Sequence, residues 1–161
     1  MSDRKAYREP VYYEIAFGFA DPVSQVDLFE DFIDEFSRVS AERFLDIGCG
    51  PGPQIREIAK RGHEAFALDR SREMLDYLEQ EAGKEGLSIS TFEEDMKNFR
   101  LDVEVDFAFI MMGTVNLVNS NEEFLNHLGS VANSLKSGGL YLMENFGGLG
   151  WSNDDVFEKT H

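Results

Sequence analysis

The spacing of apolar residues changes period repeatedly along the chain, which marks alternating helices and strands. Val26, Phe29, Ile33 and Phe36 recur at helical intervals in VSQVDLFEDFIDEFSRV and predict an amphipathic helix over 23–38. Arg43 to Ile47 reads as a buried strand. A helix then begins near Pro53, with Ile55, Ile58 and Ala59 on one face and Gly62 placed to end it. EAFALD forms a second strand ending at Asp69, and Ser71 caps a helix that turns Met74, Leu75 and Leu78 inward and stops near Gly83. LSISTF, residues 87–92, is a third strand. VDFAFIMM, residues 105–112, is a fourth, and its nearly unbroken apolar run suits the centre of a parallel sheet. Asn121 caps a long helix with Phe124, Leu125, Leu128, Val131, Ala132 and Leu135 on its apolar side, which leaves His127 on the polar side. Ser137-Gly138-Gly139 turns the chain into a fifth strand, LYLMEN. The alternation predicts an α/β fold: a doubly wound, mainly parallel sheet with helices on both faces and right-handed crossovers.

Length and composition refine this picture. The 161 residues suit one domain, and 42% hydrophobic content with 14 Phe is enough to fill its core. No stretch approaches the roughly 20 apolar residues of a membrane span, and MSDRKAYREP is too polar for a secretory signal, so the expected location is the cytoplasm. The single cysteine, Cys49, fits a reducing compartment. A net charge of −16, spread along the chain, repels phosphate backbones and anionic lipid. Nucleic acid and membrane are therefore excluded as partners, and a neutral or cationic small molecule is favoured.

The densest local signal is FLDIGCGPGPQ, where Gly48, Gly50 and Gly52 alternate with other residues at the first strand-to-helix turn. Ligands of doubly wound sheets bind at such turns, and glycines there permit positive φ and close backbone approach. A dinucleotide site needs G-x-G-x-x-G, yet Pro53 stands where its third glycine belongs, and no Gly-Lys-Ser/Thr follows to make a triphosphate loop. Asp46, at the strand end, repels pyrophosphate and attracts an ammonium group. Asp69, closing the second strand, is placed to accept from ribose hydroxyls. Within EEDM after the third strand, Asp95 is placed to accept from an adenine amine while the Met96 amide donates to the ring. These positions describe a nucleoside carrying a cationic amino-acid tail. Cys49 lies among the glycines but has no base beside it in sequence and is not assigned as a nucleophile. Neither His63 nor His127 is assigned to catalysis, and no metal-ligand cluster is visible.

FLDIGCGPG, RGHEAFALDRSREMLDYL, EEDMKNF, VDFAFIMMGTVNLV and LKSGGLYLMENF, in this order, resemble the successive motifs of class I S-adenosylmethionine-dependent methyltransferases, whose sheet is Rossmann-like. The resemblance covers roughly residues 40–146, and YYEIAFGFADPVSQVDLFEDFI is similar to the N-terminal cap of the small-molecule members. It implies a single domain over 1–161, with a helical cap over 1–40 and a cofactor-binding core over 41–146. It implies S-adenosylmethionine as cofactor: Asp46, Gly48, Gly50 and Gly52 around the methionine part, Asp69 on the ribose, and Arg70 and Met74 near the adenosine. Asp95 and Met96 would read adenine, and Met111 and Met112 would floor the site beside the sulfonium. The implied partner is a small-molecule methyl acceptor, for which Tyr12, Tyr13, Phe17, Asn116, Glu144 and Asn145 are the acceptor-side candidates. Family members add two more strands after the fifth; here only GGLGWSNDDVFEKTH follows. The expectation is a shortened chain whose open sheet edge is covered by a partner, such as a second copy in a homodimer. A non-catalytic cofactor-binding or interaction module is the alternative, and a dinucleotide-dependent oxidoreductase a distant third.

Overall fold

In the structure, a computed structural model that describes residues 10–16, 18 and 20–145, the most apolar strand is an interior strand of the sheet. This is β4 (Val105–Ile110), all six residues of which are buried. Strands β1 (Arg43–Ile47), β2 (Glu64–Asp69), β3 (Ile89–Glu93) and β5 (Leu135–Met143) join it in the order β3-β2-β1-β4-β5, every pairing parallel. The predicted doubly wound sheet is thus observed. The reversal of strand order between β1 and β4 opens a crevice beyond their carboxyl ends.

Two cores flank the sheet. On one face α2 (Pro22–Phe36), α3 (Pro53–Lys60) and α4 (Arg72–Lys84) bury Val26, Phe29, Ile55, Ile58, Leu75 and Leu78 against Phe44, Phe107 and Phe109. Phe29 anchors α2, its ring centroid 5.5 Å from that of Phe107 and 4.8 Å from that of Phe109. On the other face α5 (Asn121–Ser134) and the loops after β3 and β4 cover Leu45, Ile47, Phe66, Ala108 and Ile110. A short helix α1 (Pro10–Ala16) precedes α2 and buries none of its own residues.

Boundaries depart from the sequence reading where local bonds intervene. Strand β4 stops at Ile110 rather than continuing to Met112, because Met112 (φ 57°) and Gly113 (φ 65°) turn the chain through consecutive left-handed conformations. β3 begins two residues later than expected, since the Leu87 amide still bonds the Ala82 carbonyl and closes the end of α4. β5 begins at Leu135, which pairs with Val105 before a bulge; regular pairing resumes at Leu140, where the strand was expected. The cap of α5 is Ser120, whose side chain accepts from the Glu123 amide, and not Asn121. The buried face of α5 is also rotated from the expected one: His127, Ser130, Val131 and Ser134 point inward, while Leu125 is 67% exposed. His127 is therefore a core residue. Among the described residues no helix is long and apolar enough to cross a membrane.

Candidate active site

Two adjoining cavities occupy the crevice and share Tyr13, Gly48, Met112 and Thr114. The first runs past Asp69, Arg70 and Met74 to Glu94, Asp95 and Met96. The second reaches from Asp46 and Met111 to Glu14, Gln54 and Arg56. The strands present Asp46, Asp69 and the Glu94–Met96 segment because each lies at or just beyond a carboxyl end of the parallel sheet.

Gly48 and Gly50 line the first cavity, with φ of 70° and 53°. A Cβ on Gly50 would point across the cavity, 3.7 Å from Tyr13 Cε1. Gly52, grouped with them from the sequence, lines neither cavity: at φ 67° it starts α3, and its Cβ direction meets Leu78 Cδ1 at 2.7 Å. The loop is held to β2 by Asp69. One carboxylate oxygen accepts from the Gly50 amide at 2.9 Å and the other from the Ser71 amide at 2.8 Å. A carboxylate offers about four lone-pair directions, so both oxygens keep capacity for ligand hydroxyls. Burial raises the Asp69 pKa, and the two amide bonds oppose that rise.

Asp46 is only 3% exposed, and its Oδ2 has no hydrogen-bond partner. Burial, reinforced by the Asp69 charge, pushes its pKa well above the usual carboxylate value. A buried carboxylate oxygen left unbonded costs free energy, so it calls for a donor or a cation. Cys49 is buried too, and burial with the Asp46 and Asp69 charges raises its thiol well above the ordinary value, the reverse of an activated nucleophile.

Tyr13, Met111 and Met112 line the cavities. Tyr12 does not: it is 68% exposed on the outer side of α1. Asn116 is exposed on a 3₁₀ turn (Thr114–Leu117) and lines neither cavity, whereas Thr114 and Leu117 from that turn do. Glu144 supports rather than lines the site, its carboxylate accepting from the Met112 amide at 2.5 Å. Asn145 is exposed, and Phe17 lies outside the described residues. Sequence reasoning missed Thr114, two positions before Asn116, and Glu14, which pairs with Arg56 and accepts from the Tyr77 hydroxyl. The GTVN segment was the available signal for Thr114; Glu14 gave none, since a lone acid on a short helix reads as solvated charge.

Residues 44–139 match the family described as a methyltransferase domain. The cypemycin N-terminal methyltransferase of a Streptomyces species is 25% identical over 146 residues, 89% of this chain and 58% of that protein. The dTDP-3-amino-3,4,6-trideoxy-alpha-D-glucopyranose N,N-dimethyltransferase of Streptomyces venezuelae is 27% identical over 104 residues, 65% of this chain and 42% of that protein. Among solved structures, an S-adenosylmethionine-bound amino pentose methyltransferase from Micromonospora echinaspora superposes with a TM-score of 0.74 at 24% identity, covering 83% of this chain and 56% of that one. The chain spans about half the length of the curated relatives it matches, 49% and 58% of the first two.

Proposed function

The chain belongs to the class I methyltransferase-domain family, and we propose that it binds S-adenosylmethionine across the paired cavities and transfers the methyl group to a small-molecule amine. The observation carrying this reading is the buried, unbonded Asp46 oxygen beside the second cavity, a site suited to an ammonium group. The other residues fit the same ligand. Asp69 keeps lone pairs for ribose hydroxyls, Gly50 leaves room for close approach, and the Asp95–Met96 segment offers an acceptor and a donor to adenine. Arg70 and Met74 would flank the adenosine, and Met111 and Met112 the sulfur end. When bound, the cofactor supplies a methyl group already activated on a sulfonium. The chain's own task is to align donor and acceptor and to exclude water. Tyr13 and Thr114, common to both cavities, are the residues best situated to do so.

An amine acceptor is supported by two of the relatives, the cypemycin N-terminal methyltransferase and the N,N-dimethyltransferase of a dTDP-linked 3-amino sugar, and by the −16 charge, which favours cationic ligands. We keep the domain as one unit over 1–161 with its cap over 1–40 and its core over 41–146, the cytoplasm as its location on the strength of a lone buried thiol, and a homodimer through β5 as its assembly. Binding without turnover is the second reading, favoured by Tyr12 and Asn116 facing away from the cavities. Calorimetric titration with S-adenosylhomocysteine should show saturable binding; folded protein silent at millimolar ligand overturns the cofactor assignment. Radiolabelled methyl transfer across a panel of amines, carboxylates and phenols then separates enzyme from binding module.

A further inference from the structure

Helix α5 carries Glu123, His127 and Ser130 at i, i+4 and i+7, a single helical face, and all three hold the segment that follows β3. Glu123 pairs with Lys97 Nζ at 2.8 Å, and Ser130 Oγ accepts from the Phe99 amide at 3.0 Å. Between them His127, with no exposed surface, sets Nδ1 2.7 Å from the Met96 carbonyl and Nε2 2.7 Å from the Tyr141 hydroxyl on β5. A carbonyl oxygen only accepts, so Nδ1 carries the proton. In the neutral ring Nε2 then accepts, and the Tyr141 hydroxyl donates to it. Burial lowers the His127 pKa below its ordinary value, in keeping with a neutral imidazole. A buried histidine with both nitrogens bonded is more than filler, because a pure packing role is met by leucine without the cost of desolvating two polar atoms.

Its target is the turn at the far end of the first cavity. The turn is closed on itself by the Lys97 amide donating to Asp95 Oδ1 at 2.9 Å and the Asn98 amide donating to the Asp95 carbonyl at 3.0 Å. Anchoring the Met96 carbonyl therefore anchors the whole turn, including Asp95 and Met96 on the cavity wall. We propose that His127 is a positioning residue for base recognition: through its Nδ1–H bond to the Met96 carbonyl it holds the Asp95–Met96 main chain where that segment meets the nucleoside base. This rests on the S-adenosylmethionine reading of the cavity.

The test compares His127→Asn, whose amide nitrogen can stand in for Nδ1, with His127→Gln, which reaches the Nε2 position and leaves the Met96 carbonyl unbonded. Each full chain is titrated with S-adenosylhomocysteine and with S-inosylhomocysteine, whose base presents a carbonyl in place of the adenine amine. The readout is the ratio of the two affinities, which general loosening of the core leaves unchanged. Wild type should prefer adenine; His127→Asn should keep that ratio within about twofold, and His127→Gln should lower it about five- to tenfold, the worth of one hydrogen bond. His127→Leu, which fills the same space but offers the Met96 carbonyl no donor, should lower the ratio as far as His127→Gln and serves where that variant fails to fold. A ratio unchanged in a folded, binding His127→Gln or His127→Leu protein overturns the positioning role alone. Absence of S-adenosylhomocysteine binding in wild type overturns the cofactor reading and this inference with it.

Discussion

Asp46 holds a carboxylate oxygen in the interior with nothing to bond, and the cost of that arrangement depends on pH. Its folded-state pKa is raised, by burial first and by the Asp69 charge second. The folded state therefore binds the proton more tightly than the unfolded chain. The penalty is absent below the unfolded value of about 3.8, grows as pH rises toward the folded value and is complete above it. Asp46→Asn removes the buried charge, so the ligand-free protein should gain about 1–3 kcal/mol at neutral pH, with the gap to wild type closing in acid. Thermal melts against pH measure this, and equal melting temperatures at pH 7 contradict it. The same variant should lose S-adenosylhomocysteine affinity, a trade of stability for function. The loop glycines divide in a parallel way. Gly52→Ala combines a left-handed backbone with a Cβ at 2.7 Å from Leu78, whose side chain is fully buried and has no room to yield, so it should cost about 2–5 kcal/mol of stability. Gly50→Ala carries the same left-handed strain, about 1 kcal/mol, but meets only ordinary contact with Tyr13, so it should cost less stability than Gly52→Ala and act chiefly on ligand binding. If denaturant unfolding shows equal losses for both, the division fails.

Among the elements, α1 stands out because its apolar residues face away from the sheet: Val11, Tyr12 and Ile15 are between 52% and 72% exposed. Polar contacts tie it down instead. Glu14 pairs with Arg56 on α3 and accepts from the Tyr77 hydroxyl on α4, a bond that pushes the Tyr77 pKa up to about 12. The latch holds Tyr13 over both cavities. Glu14→Ala should speed S-adenosylhomocysteine dissociation about tenfold with little change in global stability, read by stopped-flow displacement. An unchanged off-rate means that α1 closes the site by other contacts. Hydrophobic period did not register this element, since its seven residues have no buried face, and only the resemblance to a helical cap pointed to it. β1 and β2, by contrast, were read to the residue, because both flanks carry a change from polar to apolar. α5 was read with the right length but a rotated face: Val131 is buried as expected and Phe124 packs beside it. Leu125 and Leu128 drew the apolar stripe outward, whereas the interior took His127 and Ser130 for their hydrogen bonds to the 96–99 segment. Hydrophobic periodicity cannot register a face buried for its polar bonds. Asp46 and Asp69 were legible as crevice residues for the opposite reason: they follow apolar runs at strand ends, where topology alone brings them together.

On the scale of the whole molecule, net charge and the β5 edge of the sheet oppose each other. β5 has no strand on its outer side among the described residues. Beside it Leu140 and Leu142 meet Leu28, Phe32 and Phe36 of α2 in an apolar groove, with Leu28 47% and Phe36 57% exposed. An open parallel edge with an apolar flank favours pairing with another chain. The −16 charge resists bringing two copies together, and that repulsion weakens as the Debye length falls from about 10 Å at 0.1 M salt toward about 3 Å at 1 M. The two effects predict opposite salt dependences, which makes them separable. If edge pairing is the intrinsic tendency, sedimentation velocity should show mostly monomer at low ionic strength and a growing dimer fraction as sodium chloride rises. Leu142→Lys, which puts a charge on the groove without altering the cavities, should hold the protein monomeric throughout. Sulfate should promote dimer more strongly than chloride at equal ionic strength, because it also strengthens apolar burial. A single monomeric species at every salt and protein concentration would mean that repulsion is not what keeps the copies apart, and that the edge is protected within the chain itself.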